Sequence, residues 1–251
     1  MKQSLLLVCT LFLVVSCATK KQIIYFQDVE GLATNGEALS FEPIIQNNDV
    51  LHISISSMSR ESLEPFQRKT GLEGNVGNVN PTLQGYLVNS QGNINFPVLG
   101  TFKASGKTRD ELQGELKSKL SEFITDIVVD VRIMNFKITV LGGVNSPGVY
   151  TISDEQVTLP QAIGLAGDLS EDGRRENVMV IREVDGKQEV TKVDLTKTDF
   201  FTSPFYYLKQ NDVVYVEPSL KGVKKSGFIP DVPALLSLFT VVLTSVILIT
   251  R

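Results

Sequence analysis

Nineteen consecutive residues without a charge, Val232 to Thr250, close this 251-residue sequence just ahead of Arg251. A helix of that length rises ~28 Å at 1.5 Å per residue, close to the ~30 Å of a bilayer's hydrocarbon core. Pro230 and Pro233 stand at its start, where a missing N–H costs least. Lys221, Lys224 and Lys225 lie upstream. The run is longer and more uniform than a buried helix of a globular domain needs, so a transmembrane helix is expected over 232–250.

The other end carries a second apolar run, too short to span. Lys2 precedes Leu5 to Val15, and the run ends in Val14-Val15-Ser16-Cys17. This pattern looks like a bacterial lipobox: a signal peptide over 1–16 is removed, and Cys17 takes a diacylglycerol and an amide-linked acyl chain. More than one chain matters, because each buried CH₂ adds ~0.8 kcal/mol and a single chain anchors marginally. The sequence holds two cysteines, Cys9 and Cys17, so cleavage leaves one sulfur, already committed to lipid. A disulfide or thiolate metal site within one subunit is then excluded. His52 is the sole histidine, which removes His-based triads and metal sites. No cofactor is expected beyond the covalent lipid on Cys17. The formal charge is −4, becoming −5 without Lys2, and no basic patch of the kind nucleic acid requires is present.

Between the ends lie alternating strand patterns and two capped helices. Residues 17–40 are polar and mixed, a lipidated tether. Asp49 to Ser56 sets Leu51, Ile53 and Ile55 against Val50, His52 and Ser54, the period-two pattern of a strand, with His52 on the more polar face. Met58 to Pro81, rich in Gly, Asn and Glu, reads as a loop. Gly85 to Gly100 reads as strand, turn through Asn89–Gly92, and a second strand ending at Pro97. Thr108 with Glu111 forms a capping box, and Leu112, Leu116 and Leu120 follow as an apolar stripe. Ile127 to Met134 returns as a strand. Thr158 and Pro160 then start a helix that Gly167 stops, and Asp185-Gly186 joins two strands as a hairpin. Gln46-Asn47-Asn48-Asp49-Val50 is echoed by Lys209-Gln210-Asn211-Asp212-Val213, a pair of related strand-entry turns. The fold class is α+β.

The run Tyr86-x-Val88-x-x-x-Gly92-x-Ile94-x-Phe96-Pro97-x-x-Gly100, followed by Gly106-x-Thr108-x-x-Glu111-Leu112, resembles the polysaccharide export domain of the Wza-type outer-membrane family. Ile138 to Gly148 and the helix after Thr158 resemble the same family's soluble-ligand-binding β-grasp (SLBB) module. The resemblance implies a small periplasmic export domain over 41–136, an SLBB domain over 137–218, a linker over 219–231 and the C-terminal transmembrane helix. It also implies a lipid-anchored chain at the outer membrane, assembled as an octamer-like homo-oligomeric ring that passes capsule or exopolysaccharide. Its partner would be an inner-membrane polysaccharide co-polymerase or tyrosine kinase.

A porin-like channel walled by the C-terminal helices needs a polar stripe. Ser237, Thr240 and Thr244 share a ~60° sector at 100° per residue, which makes them candidate pore-lining residues. Hydroxyls in such helices also satisfy their own backbone carbonyls, so the stripe reads either way. Phe201, Phe205, Tyr206 and Tyr207 suit a core better than a sugar-stacking platform. Asp154-Glu155 and Glu171-Asp172 are adjacent pairs that point apart, unlike the convergent carboxylates of a glycosidase. The expectation is therefore a non-enzymatic transport subunit; the alternative is a membrane-tethered, monomeric binding module holding a sugar or small ligand.

Overall fold

The computed structural model describes residues 24–31, 41–68, 85–184, 186–219 and 232–249. The expected signal peptide, Cys17 and most of the Gly- and Asn-rich stretch after Met58 lie outside them.

Two hydrophobic cores form in sequence order. In the first, β1 (Val50–Ser56) enters a sheet, and a helical turn, α1 (Arg60–Leu63), follows, with a 3-10 turn at Glu64–Phe66. Leu63 and Phe66 are buried there, so the beginning of the expected loop contributes to the core. Next come β2 (Tyr86–Leu87), β3 (Asn93–Phe96), β4 (Gly100–Lys103), α2 (Arg109–Leu120) and β5 (Val128–Ile133). The sheet order is β2-β1-β5, antiparallel throughout, with β3 and β4 as a separate hairpin.

The capping box at the start of α2 is present in full, Thr108 and Glu111 satisfying each other's backbone N–H groups. Its apolar stripe, Leu112, Leu116 and Leu120, is completely buried. The strand–turn–strand expected over 85–97 forms, but its strands do not pair with each other. Leu87 and Tyr86 pair with Val50 and Leu51, while Asn93 to Phe96 pair with Lys103 to Gly100. The cause is local. Val88 N–H donates to Asp49 O at 2.8 Å and Asn48 N–H to Val88 O at 2.9 Å, which commits this strand to β1. The turn at Asn89–Gly92 then serves as a corner, its Asn89 Oδ1 accepting from the Gln91 and Asn93 N–H groups at 3.0 and 2.9 Å.

The second core lies under a five-stranded mixed sheet. It contains β6 (Lys137–Gly142), β7 (Gly148–Thr151), α3 (Leu159–Leu165), β8 (Gly173–Val184), β9 (Lys187–Val193) and β10 (Val213–Pro218). The order is β7-β6-β10-β8-β9, with β10 parallel to β6 and antiparallel to β8. Thr158 caps α3 with a second box, through Gln161, and Pro160 occupies the first turn. Gly142, at φ +89°, lies so close to β10 that a methyl on it would sit 2.1 Å from the Val216 carbonyl oxygen. β8 and β9 pair as far as Val184 and Lys187, with Gly186 at φ +75° between them; Asp185 of the expected turn lies outside the described residues.

At the C-terminus α4 (Val232–Ile249) is a helix of 18 residues. That is a rise of ~27 Å, short of the ~30 Å core. Among the described residues no helix is long and apolar enough to cross a membrane. The transmembrane helix expected over 232–250 is thus corrected, and the porin-like channel walled by such helices falls with it. The sequence reading rested on the length and uniformity of the uncharged run; the described helix accounts for 18 of its nineteen residues.

Replacing Leu116 with Ala should lower the unfolding free energy by about 2–5 kcal/mol, because it empties a fully enclosed site. Lys117→Ala, exposed one position along, should change it by less than about 0.5 kcal/mol; urea unfolding of both variants checks this.

Candidate functional site at the domain junction

The two echoed turns meet where the two cores adjoin. In each, an asparagine takes the left-handed conformation, Asn48 at φ +68° and Asn211 at φ +65°, which Asn tolerates better than most residues. In each, the following aspartate folds back onto the backbone three residues earlier. Asp49 Oδ2 accepts from Gln46 N–H at 2.7 Å, and Asp212 Oδ2 accepts from Lys209 N–H at 2.8 Å. Both aspartates are buried, at 1% exposure.

The segment linking β5 to β6 is stitched to both turns. Asn135 Oδ1 accepts from Val50 N–H at 2.8 Å, and its Nδ2 donates to Asn48 O at 3.0 Å. Gln210 Nε2 donates to Asn135 O at 2.8 Å, and Gln210 Oε1 accepts from Lys137 N–H at 2.8 Å. Asn135 and Gln210 thereby satisfy backbone groups at the domain boundary that neither sheet pairs.

The turns differ in charge. Val213 pairs with Ile181 and Leu51 with Ile133, which sets Arg182 across from Asp212 but Asn135 across from Asp49. Arg182 grips Asp212 with Nε at 3.0 Å and Nη2 at 2.6 Å. Its remaining N–H groups donate to the Pro204 and Tyr207 carbonyls at 3.2 and 3.0 Å, and its guanidinium lies 4.6 Å from the Phe205 ring centroid. Such a pair is tolerable inside because all three guanidinium nitrogens donate hydrogen bonds and the carboxylate is paired. Asp49 has no such cation, and its Oδ1 has no hydrogen-bond partner among the described residues. Burial pushes its carboxyl up to about 6, the Gln46 N–H and the Gln210 amide pulling only partly the other way.

Between the turns opens a cleft of about 690 Å³, within the ~300–1,000 Å³ usual for small-molecule sites. Phe41 forms one wall, its ring stacked on Tyr207 at 5.0 Å between centroids. Gln156 Nε2 donates to Phe41 O at 2.8 Å, tying this segment to the second domain. Arg109 of α2 and Glu155 form an ion pair across the same boundary.

The residues singled out from the sequence lie elsewhere. Cys17 is outside the described residues. Ser237, Thr240 and Thr244 are on α4, where Thr240 donates to Ser237 O at 2.8 Å and Thr244 to Val241 O at 3.1 Å. Two of the three hydroxyls thus satisfy their own helix. His52 is exposed, opposite Arg132. Phe201, Phe205 and Tyr206 pack on the second core, as expected, beside buried Phe200. Onto them docks the short segment Ile24–Gly31, with Phe26 N–H donating to Leu195 O at 3.2 Å and Gln27 N–H to Thr196 O at 2.7 Å. The Tyr25-Phe26 pair was its only trace in the sequence. Among the described residues no cluster of His, Cys, Asp or Glu has the makings of a metal site.

The fold therefore defines a two-module α+β chain with a cleft of about 690 Å³ at the junction of the modules. Comparison with known proteins assigns both. Residues 39–134 match the family described as polysaccharide biosynthesis/export protein, and residues 136–216 match the SLBB domain family. The chain belongs to the Wza-type polysaccharide export protein family, with an export domain followed by an SLBB domain. Neither match is to a family of catalysts. The EPS I polysaccharide export outer membrane protein EpsA of Ralstonia solanacearum is 31% identical over 142 residues, 55% of this chain and 37% of that protein. Its counterpart in Ralstonia nicotianae is 29% identical over 141 residues, 55% of this chain and 36% of that protein. The aligned region thus spans little more than a third of these relatives.

The lone carboxylate gives a pH test with a definite sign. An Asp titrating near 6 when folded and near ~3.9 when unfolded binds more protons in the folded state over that interval. Its contribution is fully present below pH ~4 and lost as pH rises through about 6. Asp49→Asn should flatten this slope and raise stability at pH 7 by about 2–3 kcal/mol, read from urea unfolding at pH 4, 6 and 7. Arg182→Ala, which strands Asp212, should cost about 3–5 kcal/mol.

Proposed function

We propose that this chain is a non-enzymatic subunit of a polysaccharide export assembly, anchored by lipid on Cys17 with its domains in the periplasm beneath the outer membrane. The reading is carried by one observation: an export domain and an SLBB domain stand in tandem and account for most of the chain. Identical subunits assemble, and the periplasmic domains of the assembly guide capsule-like polymer outwards. An inner-membrane co-polymerase or tyrosine kinase delivers the polymer and couples synthesis to passage. Support for assembly comes from α4, which exposes Leu238, Phe239, Val241, Leu248 and Ile249 in the single chain. Contiguous apolar surface of this kind marks a contact with another surface.

Deletion of the gene in its host should abolish surface polymer while polymer made inside the cell is retained, and re-expression of the full chain should restore it. Normal surface polymer in the deletion strain would overturn the reading. Cys17→Ser should take up no labelled palmitate and should leave the membrane fraction, restoring little surface polymer; unchanged labelling would remove the lipid anchor from the account.

A further inference from the structure

Among the described residues, the junction cleft is lined by only three charged side chains, Arg182, Glu183 and Lys209. Arg182 is neutralised by Asp212, and the other two are of opposite sign. The lining has no net charge with which to hold an ion. What it has in excess is carboxamide. Gln46, Asn48, Gln188 and Asn211 all line the cleft, and none of their side-chain amides has a hydrogen-bond partner among the described residues. Each offers a carbonyl acceptor and two N–H donors on one planar group. A sugar hydroxyl, both donor and acceptor, is matched by such a group without any change of charge. The floor supplies the complement: Ile133, Phe136, Ile181 and Val213 are apolar, suited to the C–H face of a sugar ring.

We propose that the cleft between the two domains is a binding subsite for an uncharged, polyhydroxylated ligand, a short saccharide segment held by the amides of Gln46, Asn48, Gln188 and Asn211. The proposal deepens the export reading by naming where polymer touches the chain. Asn48 and Asn211 carry a double duty, because they line the cleft and also take the left-handed backbone that shapes the turns. Binding at such a site is weak, on the order of a millimolar, since a few neutral hydrogen bonds exchanged with water yield little net affinity. A conduit needs that weakness, because a tightly held segment would not move on.

The test is calorimetric titration of the purified full-length chain in mild detergent with maltotriose, beside a trisaccharide of uronic acids. Saturable maltotriose binding is expected, with the acidic trisaccharide weaker. Gln46→Ala with Gln188→Ala should weaken maltotriose binding about tenfold with unchanged thermal unfolding, since neither side chain holds the fold. Lys117→Ala on α2 should leave binding unchanged. Absence of saturable binding, equal or tighter binding of the acidic sugar, or indifference to the double variant would each overturn the subsite. A double variant that changes the oligomeric mass while still binding maltotriose would overturn it too, and would make the cleft a subunit contact. Because the readout is on purified protein, these failures leave polymer export to stand or fall on the deletion strain.

Discussion

The Asp212–Arg182 pair sits at the point where the second domain's central strand begins. From there β10 runs between β6 and β8, parallel to one and antiparallel to the other. A strand in that position must enter in register, because a slip of one residue would turn Val214 and Val216 out of the core. Asp212 fixes the entry by folding back onto Lys209 N–H while Arg182, on the neighbouring strand, holds its carboxylate. The same arginine reaches the Pro204 and Tyr207 carbonyls, so the loop before β10 is fixed by the same group. Phe41 stacks on Tyr207, and the N-terminal wall of the cleft depends on that loop in turn.

The first domain repeats this device with a part missing. Asp49 opens β1 as Asp212 opens β10, but the residue across the sheet is Asn135, which spends its amide on the backbone of Asn48 and Val50. A cation there would have completed the charge balance within the first domain. Instead Asn135, through its carbonyl and Gln210, joins this turn to its counterpart. The uncompensated carboxylate is the cost of that joint. It leaves at the junction a buried carboxyl that burial raises to about 6.

Features set by neighbours in sequence were legible before any coordinates. Both helix starts, the Leu112-Leu116-Leu120 stripe and the β8–β9 hairpin depend on residues within about a turn or two of each other. Pairing was harder. The strand at Tyr86 looks like half of a hairpin, yet its partner is β1, chosen by hydrogen bonds between Val88 and residues 48 and 49 that no local pattern records. The echo of the two turns was visible as letters, but its meaning required knowing that Asn135 and Gln210 bring them together. The spacing of Ser237, Thr240 and Thr244 left two readings open, and the Thr240 and Thr244 hydroxyls donate to carbonyls of their own helix.

A joint lined with neutral amides, placed between two modules of an export family, fits a subunit that touches a moving polymer without gripping it. The most direct measurement is photocrosslinking in living, exporting cells, with a photoreactive phenylalanine analogue replacing Gln188 at the rim of the cleft. The account predicts a polymer-bearing adduct of this chain that vanishes when polymer synthesis is blocked. An unmodified chain in cells that still deliver polymer to their surface would contradict it.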